Sequence, residues 1–174
     1  MAGLIKIPIS GGPNSGKTTL FNSLREVFPN AFFVEEAATL LIKSELSKHN
    51  SDLNYLPIVP WINPKQFGEQ VFAKYIELEN ELPKEEGLVF LDRCFIDVIG
   101  YSRSVGHHSR ASKAKKMAID ADYTTALFCS PIDHYQTTEI RREDQQQAEV
   151  TSRYLWESYQ EFEVPTILIS MHKV

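Results

Sequence analysis

Residues 11 to 18, Gly11-Gly12-Pro13-Asn14-Ser15-Gly16-Lys17-Thr18, fit the pattern G-x-x-x-x-G-K-[ST] and follow an apolar run, Leu4 to Ile9, that reads as a β-strand. Glycines in such a loop let the backbone close around a polyanion, so that successive N–H groups point inward at phosphate oxygens. Lys17 then reaches the β and γ phosphates of a triphosphate, and Thr18 offers a hydroxyl to Mg2+. A helix expected from Lys17 to Phe28 aims the positive end of its dipole at the same anion. Its apolar residues Leu20, Phe21, Leu24, Val27 and Phe28 recur at helical spacing. The expected nucleotide-binding set is Gly11, Gly12, Pro13, Asn14, Ser15, Gly16, Lys17, Thr18 and Thr19, with ATP as the nucleotide and GTP left open.

A second group of residues supplies charge near that loop. Gly87-Leu88-Val89-Phe90-Leu91-Asp92 is an apolar run ending in an acid, which reads as a strand buried on both faces with a carboxylate at its C-terminal end. A phosphate loop needs such a carboxylate to hold Mg2+ directly or through water, so Asp92 joins Thr18 as a metal residue; the competing reading is an acid that caps the next helix. Ring-forming ATPases usually place Glu after this Asp to activate water, whereas this chain has Arg93. Arg93 is expected to bind acceptor or phosphate, with a surface ion pair as the alternative.

Glu35 and Glu36 follow the strand Ala31 to Val34 and provide the acid that γ-phosphoryl transfer needs beside an acceptor hydroxyl. One of the two faces the acceptor, Glu36 in preference to Glu35; the alternative is that both only favour the dipole of the helix they open. There is no N-K-x-D to read a guanine base, and Asp97-Val98-Ile99-Gly100, a D-x-x-G match, falls in an expected helix and reads as coincidence.

The elements that position these groups alternate. Helices are expected over Ala37 to Lys48, over Pro64 to Leu82 with Asn63 as cap and Pro64 in the first turn, and over Ile96 to Val105. Two further apolar strands, Thr125 to Cys129 and Thr166 to Ile169, flank a long polar helical region, Asp133 to Phe162. Strands alternating with helices imply an α/β fold with a parallel sheet, and ligands in such sheets bind beyond the carboxyl ends of the strands. Pro8 is a tension, since it lies inside a strand that the fold places centrally, where a missing N–H costs a ladder bond. Trp61, Phe67, Gln70, Phe72 and Tyr75 offer groups that stack on a flat ring, although Phe67, Val71, Tyr75 and Leu78 also form a core stripe, which is the preferred reading. His107-His108 reads as a solvated loop within the most basic part of the chain, Ser102 to Lys116, itself read as a solvated face.

The 174 residues suit one domain, 1–174, and 43% hydrophobic content suits one core. A net charge of −5 disfavours a surface that holds nucleic acid. Cys94 and Cys129 form no C-x-x-C pair, which points to a reducing cytoplasm. The opening segment has no secretory h-region and no Gly at position 2. No run approaches the ~20 apolar residues of a spanning helix, while peripheral contact with an anionic membrane stays open.

The loop Gly11 to Thr18, the string Phe33-Val34-Glu35-Glu36-Ala37, the string from Phe90 through Asp92-Arg93 to Tyr101, and Arg141-Arg142-Glu143 together resemble the NadR-like AAA-type P-loop domains, which are related to nicotinamide riboside kinase and, more distantly, to deoxynucleoside kinases. The resemblance runs in order through nearly the whole chain. It implies a nucleoside-kinase-like P-loop NTPase fold, three layers α/β/α around a five-stranded parallel sheet, using ATP with Mg2+ and holding a small acceptor between the second and third strands. It also implies a lid, about 133–147, whose Arg141 and Arg142 close on the transferring phosphate; the competing reading of that doublet is a solvated helix face laced with ion pairs. The catalytic set is then Lys17, Glu36, Glu35, Asp92, Arg93, Arg141 and Arg142. A second reading comes from eukaryotic relatives that act as nucleotide-dependent binding or trafficking modules with lipid or protein partners. Ser170-Met171-His172-Lys173 are the visible candidates for reading the nucleotide base.

Overall fold

The computed structural model describes residues 3–130 and 145–170. Its elements run β1 (Leu4–Gly11), α1 (Lys17–Val27), β2 (Phe32–Val34), α2 (Ala37–Ser51), α3 (Pro64–Asn80), β3 (Gly87–Asp92), α4 (Phe95–Ser104), α5 (His108–Ala121), β4 (Ala126–Cys129), α6 (Gln145–Glu161) and β5 (Thr166–Ile169). The five strands are parallel in the order β2-β3-β1-β4-β5, so β1 is central and its carboxyl end lies between those of β3 and β4.

Alternation along the strands divides the core into layers. Val89 and Leu91 face Phe95, Ile99, Ala114, Leu155 and Tyr159 of α4, α5 and α6. Leu88 and Phe90 turn the other way, with Ile7, Ile9 and Phe33, onto Phe21 and Leu24 of α1. There Phe33 stacks on Phe90 at 5.2 Å and meets the edge of Phe21 at 5.3 Å. A third cluster, Ile42, Val59 and Phe67, joins α2 to α3. Buried Glu45 ties the intervening connection down by accepting from the Tyr55 hydroxyl at 2.6 Å and the Ile58 N–H at 2.8 Å. Asn63 caps α3 through the Gln66 N–H, with Pro64 in the first turn.

Pro8 keeps an unbroken register opposite Leu91. The Ile9 carbonyl accepts from the Arg93 N–H, and the Lys6 carbonyl from the Thr124 N–H. The odd residues of β1 therefore bond to β3 and the even ones turn toward β4, whose paired register begins only at Ile9. The missing N–H of Pro8 costs no bond to β3.

One expectation is corrected. His107 and His108 are not a loop: His107 is the N-cap of α5 and His108 its first residue. The small buried faces Ala111, Ala114, Ala118 and Ala121 carry that helix against the core, a weak hydrophobic signal at the correct spacing. Three cations of the basic stretch are held by protein partners, Arg103 and Lys115 by Glu161 at 2.6 Å each, and Arg110 by the Ser102 hydroxyl at 2.9 Å. Among the described residues, no helix is long and apolar enough to cross a membrane.

Candidate functional site

The loop after β1 is shaped by its backbone. Gly11 adopts φ +134°, and a Cβ there would lie 2.4 Å from the Cys129 carbonyl oxygen, so a side chain is excluded both by conformation and by space. Asn14 (φ 57°) and Gly16 (φ 84°) are also left-handed, which curls the loop into an N–H-lined concavity. Gly16 caps α1 with no side-chain bond, and the first turn of α1 holds no acid. The start of α1, with its dipole, therefore suits an anion. Lys17 is 4% exposed and its ammonium donates to the Gly12 carbonyl at 2.6 Å and to Ser15 Oγ at 3.2 Å. Thr18 and Thr19 stand exposed beside it.

Asp92 ends β3 with its Oδ1 buried and without a hydrogen-bond partner. It does not cap the next helix. Cys94 does so, and the Cys94 N–H donates back to Asp97 Oδ2 at 3.0 Å. Burial, reinforced by the Glu36 carboxylate, pushes Asp92 up to about 6 against the pull of Arg93 and Lys17. A buried carboxylate with an idle oxygen beside a phosphate-shaped loop fits a divalent cation.

The acid pair separates. Glu35 is exposed, with Arg25 at 3.8 Å. Glu36 turns inward as the N-cap of α2, its side chain 21% exposed, accepting from Arg93 Nε at 2.7 Å and from the Thr39 hydroxyl at 2.6 Å. Burial alone would raise the Glu36 carboxyl, but the Arg93 guanidinium, the Thr39 hydroxyl and Lys17 outweigh it and hold it below its ordinary range. Arg93 is buried rather than paired at the surface, with its backbone left-handed at φ 71°. Its Nη1 donates to the Gly11 carbonyl at 3.2 Å and to Asp97 Oδ1 at 3.0 Å, and the guanidinium lies 5.0 Å from the Tyr101 ring centre.

Lys17, Glu36, Asp92 and Arg93 thus converge, and Glu35 does not. Arg141, Arg142, most of the expected lid and Met171 to Lys173 lie outside the described residues. Phe67, Phe72 and Tyr75 are core, Trp61 is half-buried, and Gln70 Oε1 is buried without a hydrogen-bond partner. Burial, with Glu36 and Asp97 nearby, pushes the Tyr75 hydroxyl up, which places Tyr75 beside the acids. The sequence reading missed Asp97, Ser10 and Tyr159, which meet at 2.6 Å (Ser10 Oγ to Asp97 Oδ1) and 2.8 Å (Tyr159 hydroxyl to Asp97 Oδ2). For Asp97 the signals were the D-x-x-G match, read as coincidence, and its place in the string from Phe90 to Tyr101 that carries the resemblance.

Since the folded state raises Asp92 above its unfolded value, its ionised form opposes folding. The penalty is absent below about pH 4, grows up to about pH 6 and is complete above it, at most about 3 kcal/mol. Asp92→Asn is therefore expected to raise the Tm by a few degrees at pH 7.5, with the gain vanishing toward pH 4. Thermal melts across that range check it.

A family model described as an AAA domain matches residues 6–174. No curated protein matches in sequence. Among solved structures, thymidylate kinase from Ehrlichia chaffeensis is similar at TM-score 0.61 and 16% identity, covering 97% of this chain and 91% of that one. NadR protein in complex with NR is similar at 0.66 and 19%, covering 94% of this chain but 43% of that one. Deoxyadenosine kinase from M. mycoides is similar at 0.64 and 10%, covering 94% and 88%. At these identities the likeness establishes the fold, a parallel P-loop α/β sheet that nucleoside and nucleotide kinases share.

Proposed function

The chain belongs to the AAA domain family, and on that premise we propose that it is an ATP-dependent small-molecule kinase that transfers the γ-phosphoryl to a hydroxyl of a nucleoside-like acceptor. The observation that carries this reading is the buried Oδ1 of Asp92, which has no hydrogen-bond partner among the described residues and ends β3 beside the phosphate loop. Thr18 and Asp92 would hold Mg2+, which takes few protein ligands and completes its shell with water and substrate phosphates. When bound, Mg2+ would supply positive charge to offset the negative charge developing on the phosphates.

The protein's own groups do the rest. Backbone N–H groups from Asn14 to Thr19 fix the phosphates, and Lys17 exchanges its bonds to Gly12 and Ser15 for phosphate oxygens. Glu36, held ionised, orients the acceptor hydroxyl and takes its proton as the new O–P bond forms and the bond from phosphorus to the β,γ-bridging oxygen breaks, releasing ADP. Arg93 holds Glu36 and the loop at a set distance. The role that the resemblance gives Arg141 and Arg142 is to cover the transferring phosphate and exclude water. We place the protein in the cytoplasm, with small molecules rather than nucleic acid as partners.

Purified protein incubated with labelled ATP, Mg2+ and a panel of nucleosides is expected to yield a phosphorylated nucleoside. Nucleotide binding without turnover, together with retention on anionic liposomes, favours the nucleotide-dependent binding module instead. Failure to bind ATP or GTP overturns both.

A further inference from the structure

We propose that Asp97 is a positioning residue which, through Arg93, sets the spacing between the phosphate loop and Glu36. This rests on the kinase reading of the same site. Asp97 is 1% exposed and both of its oxygens are saturated. Oδ1 accepts from Ser10 Oγ at 2.6 Å and Arg93 Nη1 at 3.0 Å, and Oδ2 from the Cys94 N–H at 3.0 Å and the Tyr159 hydroxyl at 2.8 Å. A carboxylate with its acceptor sites so filled has little capacity left for a ligand, in contrast to Asp92, whose Oδ1 is idle. Its effect passes outward through what it holds.

What it holds is a rigid fork. Arg93 touches the acceptor acid with Nε at 2.7 Å and the first loop residue with Nη1 at 3.2 Å, so one planar group spans Glu36 and the Gly11 carbonyl. Two anchors leave a long side chain free to pivot about them, and Asp97 is the third. Ser10, which immediately precedes Gly11, bonds to Asp97 directly, so the loop is gripped on both sides of one peptide bond. Asp97 also shares the guanidinium charge, which keeps Glu36 from being its sole counter-ion and leaves Glu36 able to accept a further hydrogen bond. The left-handed backbone of Arg93 belongs to such an over-determined arrangement.

The test is a double-mutant cycle on Mg2+-dependent binding of a fluorescent ATP analogue, with folding checked by circular dichroism. Asp97→Asn keeps the side-chain shape and is expected to weaken binding about tenfold; Arg93→Lys does the same; the double variant is no weaker than the worse single one, because both changes break one linkage. Multiplying effects would mean that Asp97 acts through packing alone and would overturn the proposal, as would Asp97→Asn binding within twofold of the unaltered protein. If Asp97→Asn does not fold, Ser10→Ala replaces it in the cycle with the same criteria. Loss of binding by the unaltered protein is a separate result that sinks the kinase reading.

Discussion

Lys17→Ala is expected to lower ATP affinity by about 100-fold or more while leaving the protein folded. The ammonium is buried at the first position of α1, where a cation opposes the helix dipole and has left water. Its bonds to the Gly12 carbonyl and Ser15 Oγ, with the Glu36 and Asp92 carboxylates nearby, offset that cost. Removing the charge removes both the cost and its compensation and leaves the fold standing, whereas a phosphate loses charge-assisted hydrogen bonds of about 1.5–3 kcal/mol each. Lys17→Arg is not expected to rescue binding, because a planar fork does not fit a space shaped for a compact ammonium. Calorimetric titration with Mg2+·ATP, paired with thermal melts, separates the two effects; undiminished affinity would remove the phosphate loop from the nucleotide site.

Lys17 and Asp92 were legible in the sequence for the same reason. Chemistry concentrated at the carboxyl ends of β1 and β3 leaves a local signature, glycines where the backbone must turn left-handed and an acid where an apolar strand stops. Local signatures survive without knowledge of the fold. The Asp97 network does not, because Ser10, Asp97 and Tyr159 are 87 and 62 positions apart along the chain and meet only once β1 lies beside β3 and α6 packs over α4. A Cβ at Gly100 would lie 2.8 Å from Leu155 Cα, so the two halves of the D-x-x-G match serve as an ion-pair anchor and a helix contact. Helix α5 was hidden differently: its buried stripe is alanine, too weakly apolar to stand out among His108, Arg110, Lys113, Lys115 and Lys116. Which glutamate turns inward was also beyond the sequence, since neighbouring residues at a strand end differ only by where the next helix starts, and α2 starts at Ala37 with Glu36 as its cap.

That difference gives the sharpest expectation about turnover. Glu36→Gln can still accept from Arg93 through its carbonyl oxygen and donate its NH2 to the Thr39 hydroxyl, reversing that bond, but it cannot take a proton; it is expected to lower turnover of the acceptor by about 100- to 10,000-fold with ATP affinity changed less than about threefold. Glu35→Gln, half-exposed with only Arg25 at 3.8 Å, is expected to change neither by more than about twofold. The pH profile follows from opposite displacements of the two buried acids. Glu36 is held below its ordinary range and stays ionised as the pH falls through 6, so its titration does not shape the profile there. Asp92, raised to about 6 while no cation is bound, protonates first and loses its capacity for a cation, so turnover at sub-saturating Mg2+ is expected to fall as the pH drops below 6, and less at saturating Mg2+, which draws the Asp92 carboxyl down. Steady-state rates between pH 5 and 8, on both glutamine variants and the unaltered chain, check the assignment. Turnover retained by Glu36→Gln and lost in Glu35→Gln would reverse the roles of the pair and place the acceptor outside the Arg93 cluster.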